Sequence, residues 1–271
     1  MMQSQDLPQE LCLVVRETGG TTDFAHYGRE EWMSQHTWQV LAGEEEVANR
    51  LCSLIFEASE RNIKERGEFT IALSGGSLVK LLGLSSFVKD RRACSGKWKV
   101  FLVDERVVPI DDPENTFGQY LKTLGESCLA SLGNFVSPIN AGNLQDPAKA
   151  ATEYEALLQD YREGLDMVIL GLGPDGHTAS LFPPITKSHL SAPSMVEAVY
   201  NSPKPPPERI TLTIPYMEKA RQIVYVALGS AKALIISKIL KPAGETNDWL
   251  SPCLHLPGHW LLDSPAAAAL Q

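Results

Sequence analysis

Residues 166–173 read DMVILGLG, an apolar run that ends in glycines and continues directly into PDGH at residues 174–177. A run of this length, rich in branched apolar residues, is typical of a strand that is buried on both faces of a sheet. The polar segment that follows must therefore lie at the carboxyl end of a buried strand. This junction is the most informative point of the sequence.

Two other apolar runs end in the same way. FTIAL at residues 69–73 leads into SGGS at residues 74–77, and WKVFLV at residues 98–103 leads into DER at residues 104–106. The carboxyl ends of parallel strands meet at one edge of a sheet, and ligands of such proteins bind at that edge. The three polar segments therefore predict a binding site there.

The rest of the chain alternates between strand and helix patterns. Apolar residues recur at helical spacing after Glu44, across residues 116–132 and 148–163, and over residues 231–240. Further strands are predicted at residues 38–41, 209–214, 222–228 and His259–Asp263. We predict an α/β fold with a largely parallel sheet and helices on both faces, a Rossmann-like three-layer architecture.

Composition narrows the function classes. The chain has 271 residues, a formal net charge of −9, 44% apolar residues and 21% charged residues. These values exclude a disordered chain or a collagen-like fibre, and the acidic total argues against a generic nucleic-acid binder. No stretch approaches the roughly 18 apolar residues of a membrane span. We expect neither nucleic acid nor a membrane as a partner, and an anionic ligand would need a few well-placed cations.

The cysteines indicate a reducing compartment. Five are scattered along the chain, without a CxxC pair or a Cys/His metal spacing. The first residues also lack the basic and apolar regions of a signal peptide. We therefore expect reduced thiols, no metal and a cytoplasmic location.

The SGGS segment has two interpretations. Gly75 and Gly76 let a backbone approach an anion, and the helix that follows offers free N–H groups, so the segment can cradle a phosphate. A plain strand-to-helix turn accounts for it equally well. The DER segment is open in the same way: it is either a solvated loop or a place where Arg106 clamps a phosphate and Asp104 accepts sugar hydroxyls.

His177 has the setting of a general base. It follows a buried strand, is close to glycines and lies two residues after Asp175. We expect a helix to start near Thr178, whose N–H groups would stabilise a developing oxyanion. Arg209 begins a strand after a proline-rich stretch, and Lys232 opens a helix. By themselves these two cations are typical of solvated surface charges.

Taken together, the segments resemble the 6-phosphogluconolactonase family. The matching pieces are LSGGS at 73–77, VDERVVP at 103–109, ENTFG at 114–118, ILGLGPDGHTASLFP at 169–183 and SPKPPPERITLTIP at 202–215. Their order and spacing agree over about residues 38–271, which we interpret as one domain. Leu78-Val79 depart from the Thr-Pro pair that usually follows SGGS in the family.

The resemblance implies hydrolysis of 6-phospho-D-glucono-1,5-lactone to 6-phospho-D-gluconate, the second step of the oxidative pentose phosphate pathway. The substrate is a small sugar-phosphate lactone, and no cofactor is expected. His177 would be the general base, and Asp175 would orient the loop or the imidazole. The phosphate would be held by Gly75, Gly76, Ser77 and Arg106, helped by Arg209 and Lys232.

Two alternatives are weighed against this interpretation. The related aminosugar-phosphate isomerases and deaminases continue their DGH segment with Asn-Glu-Pro, which supplies a ring-opening carboxylate, whereas residues 180–183 here read SLFP. A non-catalytic sugar-phosphate-binding protein would keep the phosphate loop but lose the DGH segment, and here Asp175 and His177 are both present.

Residues 1–37 have no counterpart in the family. They are either a natural extension or a junction from a fusion with a glucose-6-phosphate dehydrogenase, as some family members carry. We expect a monomer.

Overall fold

Ten strands in two sheets organise the part of the chain that the computed structural model describes, residues 36–85, 87, 90, 92, 95–241 and 251–270. The predicted extension at residues 1–37 lies outside this part, except for its last two residues. In chain order the strands are β1 (Thr37–Leu41), β2 (Phe69–Leu73), β3 (Trp98–Leu102), β4 (Asp104–Arg106), β5 (Gly133–Phe135), β6 (Met167–Gly171), β7 (Val196–Val199), β8 (Arg209–Leu212), β9 (Ile223–Ala227) and β10 (His259–Asp263).

The larger sheet is parallel throughout its described strands and has the order β1-β10-β9-β6-β2-β3-β5. The smaller sheet is antiparallel and has the order β4-β8-β7. Strand β6 is central, with β2 and β9 on its two sides, so the segment after β6 emerges in the middle of the carboxyl edge. The parallel sheet was predicted, but the antiparallel sheet was not.

Eight α-helices connect the strands within the described residues: α1 (Glu44–Arg66), α2 (Ser77–Leu84), α3 (Thr116–Leu124), α4 (Glu126–Leu132), α5 (Pro147–Leu157), α6 (Lys187–Leu190), α7 (Ile214–Glu218) and α8 (Ala233–Leu240). The helical pattern predicted across residues 116–132 forms two helices, α3 and α4. Gly125, with φ +81° and ψ 147°, ends α3 and precedes α4, because this conformation cannot continue a right-handed helix. None of the described helices has the length and apolarity needed to cross a bilayer.

The larger sheet separates two apolar cores. Along β6, Met167 and Ile169 face one core, and Val168 and Leu170 face the other, because side chains alternate along a strand. Buried residues of α1 to α4 line the first core, and those of α5, α7 and α8 line the second. Burial on both faces accounts for the continuous apolar runs in the sequence. The predicted α/β architecture with helices on both faces is confirmed.

Val103 joins the two sheets. Its N–H donates to the carbonyl of Leu73 in the larger sheet, and its carbonyl accepts from the N–H of Leu212 in the smaller sheet. At the preceding residue, Leu102, the buried Tyr154 hydroxyl accepts from the N–H and donates to the carbonyl, each at 2.8 Å. The DER segment is therefore neither a solvated loop nor the end of the strand but β4, the first strand of the second sheet.

Tyr154→Phe should destabilise the protein by about 1–3 kcal/mol, because both backbone groups of Leu102 would lose a partner inside the core. Urea unfolding followed by circular dichroism measures the change. Tyr200→Phe is the matched control: Tyr200 is 53% exposed, and its replacement should change the free energy of unfolding by less than about 0.5 kcal/mol. Equal stability of Tyr154→Phe and the parent would contradict this account of the junction.

Candidate active site

The segment after β6 is a tight loop that presents His177, and we call residues 172–178 the DGH loop. The Gly173 N–H donates to the His177 carbonyl at 2.8 Å, and the Thr178 hydroxyl donates to the Gly171 carbonyl at 2.6 Å. A Cβ atom on Gly173 would lie 2.0 Å from Nδ1 of His177. The imidazole therefore occupies the space that a side chain at position 173 would need.

The helix predicted to start near Thr178 is absent. Thr178 instead forms an isolated bridge with Leu181 around a turn, and Ala179 has φ 51°. A positive φ cannot continue a right-handed helix, so no helix N-terminus follows His177. The predicted source of oxyanion stabilisation is therefore wrong.

Three side chains meet beside the loop. Nδ1 of His177 lies 2.5 Å from Oδ1 of Asp175. The ammonium of Lys204 lies 3.2 Å and 3.1 Å from the two carboxylate oxygens of Asp175 and 3.0 Å from Nδ1 of His177. Sequence reasoning named Asp175 and His177 but missed Lys204, which it quoted only as part of the proline-rich stretch.

The protonation states of Asp175 and His177 depend on burial and on the charges beside them. Partial burial raises the pKa of Asp175, but hydrogen bonds from His177 and Lys204 outweigh it and bring the pKa to about 2. An ionised carboxylate only accepts hydrogen bonds, so we assign the Nδ1 proton to His177. Burial lowers the pKa of His177 below its usual 6.5, against the opposing effect of Asp175. At neutral pH the imidazole is therefore uncharged, with its lone pair on Nε2.

An aromatic ring holds the imidazole from the other side. Phe182 stacks on His177, with ring centroids 4.8 Å apart and planes at 26°. The guanidinium of Arg209 lies 5.7 Å from the centroid of the same phenyl ring. The ring orientation of His177 is thus set by Asp175 and by Phe182 together.

Asp104 and Arg106 lie on one face of β4, because alternate residues of a strand share a face. Asp104 is buried, and its Oδ2 accepts from the Ser180 hydroxyl at 2.6 Å. Arg106 pairs with Arg209 across the strands and donates from Nη1 to the carbonyl and the carboxylate of Glu114, at 2.7 Å and 3.1 Å.

Arg209 is only 3% exposed, and most of its donors serve the backbone of the segment before β8. We call residues 202–207 the proline loop. Nε donates to the carbonyl of Pro206, and Nη2 donates to the carbonyls of Lys204 and Pro205, each at 3.0 Å. The predicted surface-like cation is thus a buried anchor of the proline loop.

The glycine loop, residues 74–77, leads from β2 into α2. Gly76 has φ +64°, which only glycine adopts readily, and a Cβ on Gly75 would lie 2.9 Å from Cγ2 of Thr116. Gly76 and Ser77 are exposed, and no side chain caps the first turn of α2. The first N–H groups of α2 are therefore available to an anion.

Lys232 precedes α8 and is half-buried. Burial lowers its pKa, Asp263 acts in the opposite direction, and the charge of Lys204 lowers it further. Lys232 therefore lies within electrostatic reach of Lys204. In the described residues no three His, Cys, Asp or Glu side chains cluster as metal ligands.

Two further residues escaped sequence reasoning. Glu105 is fully buried, and its carboxylate accepts from the N–H groups of Arg106, Thr116 and Phe117. Burial raises its pKa to about 7, against the effect of these donors. The hydroxyl of buried Ser251 donates to the Gly176 carbonyl at 2.6 Å and so holds the DGH loop. No sequence signal marks Ser251, whereas Glu105 stands between two predicted site residues.

Comparisons with known proteins show which family the chain is similar to. A family model described as glucosamine-6-phosphate isomerases/6-phosphogluconolactonase matches residues 42–260. The chain is 37% identical over 199 residues to a probable 6-phosphogluconolactonase of Drosophila melanogaster, covering 73% of this chain and 80% of that protein. It is 35% identical over 247 residues to the 6-phosphogluconolactonase of Bos taurus, covering 85% and 92%.

Solved structures share the fold. The 6-phosphogluconolactonase of Trypanosoma cruzi has a TM-score of 0.72 at 24% identity, covering 87% of this chain and 97% of that chain. The crystal structure of a 6-phosphogluconolactonase from Shewanella baltica has a TM-score of 0.74 at 22% identity, covering 84% and 98%.

Glu105→Ala should destabilise the protein by about 3 kcal/mol, because three backbone N–H groups at the start of α3 and in β4 would lose their acceptor. Urea unfolding measures the difference from the parent. Glu163→Ala, with a side chain that is 89% exposed, should change the free energy of unfolding by less than about 0.5 kcal/mol. A similar small change for both variants would show that Glu105 does not organise this part of the site.

Proposed function

The chain belongs to the glucosamine-6-phosphate isomerase/6-phosphogluconolactonase family, and within that family we propose that it hydrolyses 6-phosphogluconolactone to 6-phosphogluconate with His177 as the general base. The curated relatives support the lactone as substrate. The observation that supports the base is the imidazole of His177, whose Nδ1 contacts Asp175 and whose ring stacks on Phe182, which leaves Nε2 as the nitrogen for proton transfer.

The reaction needs one proton transfer in each direction. Nε2 of His177 takes a proton from water as the water oxygen attacks the lactone carbonyl carbon, and the carbonyl oxygen becomes an oxyanion. When the ring C–O bond breaks, the imidazolium returns the proton to the departing ring oxygen, which becomes a hydroxyl of the open-chain acid. Asp175 stabilises the imidazolium in the interval and keeps the Nδ1 proton in place.

Anion binding is proposed at the carboxyl edge of the sheet. The glycine loop offers Gly75, Gly76 and Ser77 with the free N–H groups of α2, and Arg106 lies on β4, the first strand of the smaller sheet. Lys232 adds a half-buried cation within electrostatic reach of Lys204. Because most donors of Arg209 are directed to the proline loop, we assign Arg209 to the support of that loop and to the local positive potential rather than to direct phosphate contact.

Asp104 is proposed to face the sugar hydroxyls. One of its oxygens accepts from Ser180, and the second remains able to accept from a ligand hydroxyl. The isomerase alternative needs a ring-opening carboxylate after the DGH loop. In this chain that segment instead provides Ser180, the buried Leu181 and the stacked Phe182. The non-catalytic alternative is disfavoured by the complete Asp175–His177 pair.

Several predictions about the protein's context remain proposals. We propose a monomer made of one domain over residues 38–271, with residues 1–37 as an extension or the junction to a glucose-6-phosphate dehydrogenase. A cytoplasmic location is supported by Cys52 and Cys253, which are free thiols in the described part of the chain.

His177→Ala should lower kcat for lactone hydrolysis by about 10²–10⁴-fold, the usual contribution of a general base. It should still bind 6-phosphogluconate, because the proposed phosphate groups are unchanged. The assay follows acid release from freshly generated 6-phosphogluconolactone with the spontaneous rate subtracted, and calorimetry measures product binding. His189→Ala, in α6, serves as the control and should retain the parent rate.

Full activity of His177→Ala would contradict the mechanism. A parent protein that binds 6-phosphogluconate but does not accelerate hydrolysis would contradict the enzymatic function and favour a sugar-phosphate-binding protein.

Gly173→Ala should lower kcat by about 100-fold, because the new methyl group would lie 2.0 Å from Nδ1 of His177 and displace the imidazole. Gly171→Ala is the matched control: no atom lies within 4 Å of the point that its Cβ would occupy on β6, so at least about half of the activity should remain. Steady-state kinetics on both variants give the comparison. An equal loss in both would show that the space at position 173 is not what matters.

A further inference from the structure

Lys204 makes polar contacts with both members of the Asp175–His177 pair. Its ammonium lies 3.1 Å and 3.2 Å from the Asp175 carboxylate oxygens and 3.0 Å from Nδ1 of His177. The Nδ1 proton points to Asp175, so the ammonium cannot donate to that nitrogen and its hydrogen bonds go to the carboxylate. Lys204 is therefore bound to the group that orients the base.

The position of Lys204 is built into the fold. Arg209 donates to its backbone carbonyl and to the next two carbonyls of the proline loop. The Lys204 N–H donates to the Ser202 hydroxyl at 3.2 Å, and the Ser202 N–H donates to the Pro207 carbonyl at 2.9 Å. These hydrogen bonds fix the backbone from which the Lys204 side chain reaches the Asp175 carboxylate.

We propose that Lys204 is a positioning residue that neutralises and aligns Asp175, so that His177 remains an uncharged base with its lone pair on Nε2. The proposal rests on the proposed function of His177. The proline loop thereby takes part in the proton transfer, because the ammonium of Lys204 acts on His177 through the carboxylate of Asp175.

The charges around His177 show why an ammonium beside Asp175 affects the base. Asp175 from the same loop and Asp104 from β4 both raise the pKa of the imidazole, and Lys204 from the proline loop lowers it. Arg209 lies beyond Phe182, on the ring that stacks on the imidazole. Without Lys204, two carboxylates would face the imidazole with no ammonium beside them. The imidazolium would then be favoured, and a protonated imidazole cannot accept a proton from water.

The test combines Lys204→Met and Lys204→Gln, which remove the charge, with Lys204→Arg, which keeps it. The pKa of His177 is measured in the ligand-free protein by NMR titration of histidine-labelled samples, with the signal assigned by its loss in His177→Gln. In parallel, kcat/KM for the lactone is measured from pH 5.5 to 8. Lys238→Met, on the exposed side of α8, is the control for loss of a positive charge.

The expected result is a higher pKa of His177 in both neutral variants and its return in Lys204→Arg. The acid limb of the kcat/KM profile should move to higher pH by the same amount. The loss of kcat/KM relative to the parent should therefore be about fivefold larger at pH 6 than at pH 8. Lys238→Met should leave both measurements at the parent values.

An unchanged pKa of His177 in Lys204→Met, with KM raised at every pH, would overturn the proposal and leave Lys204 with a contact to substrate only. The NMR measurement needs no substrate. A parent protein without lactonase activity would therefore refute the proposed function while the titration still decides the role of Lys204.

Discussion

The hydrogen bonds of Val103 to both sheets set the geometry on which the candidate active site depends. With its N–H in the larger sheet and its carbonyl in the smaller one, the chain must cross the carboxyl edge at this residue. The crossing places Asp104 beside the segment that follows β6, where Ser180 reaches it. It also pairs β4 with β8, which brings Arg209 and the proline loop to the same edge. A parallel sheet alone would gather loops at this edge, whereas the crossing adds a strand with fixed side-chain directions.

An acidic chain can serve an anionic substrate because charge is distributed unevenly. The net charge is −9, yet Arg106, Lys204, Lys232 and Arg209 all lie around the carboxyl edge of the larger sheet. Each is partly restrained by a nearby acid or by backbone carbonyls, so the cations are held apart without cancelling the local positive potential. The net charge therefore governs long-range electrostatics, whereas the electrostatic potential at the site depends on these four side chains.

The sequence allowed the parallel sheet to be predicted because burial on both faces leaves continuous apolar runs, as in β2 and β6. It also marked the DGH loop, whose glycines make room for His177. It could not show that Asp104 lies in a strand, since three charged residues after an apolar run are equally typical of a loop. The burial of Arg209 could not be predicted for a related reason: a buried guanidinium that donates to carbonyls has no local sequence pattern. Ser251 contacts Gly176 from 75 residues away, and only tertiary structure reveals such a contact.

The contacts that restrain the imidazole link these observations to the proposed chemistry. A general base that must take a proton from water and return it to a ring oxygen needs one fixed Nε2 position through both steps. Asp175 fixes the tautomer, Phe182 fixes the ring plane, and the missing side chain at Gly173 gives the ring a place to lie. Each restraint comes from a different part of the DGH segment or its surroundings, and none requires motion during the reaction. Preorganisation of this kind lowers the cost of reorientation in the transition state. In the proposed function, this edge of the sheet combines a buried carboxylate network with an exposed glycine loop because proton transfer requires a rigid base and phosphate binding requires accessible N–H groups.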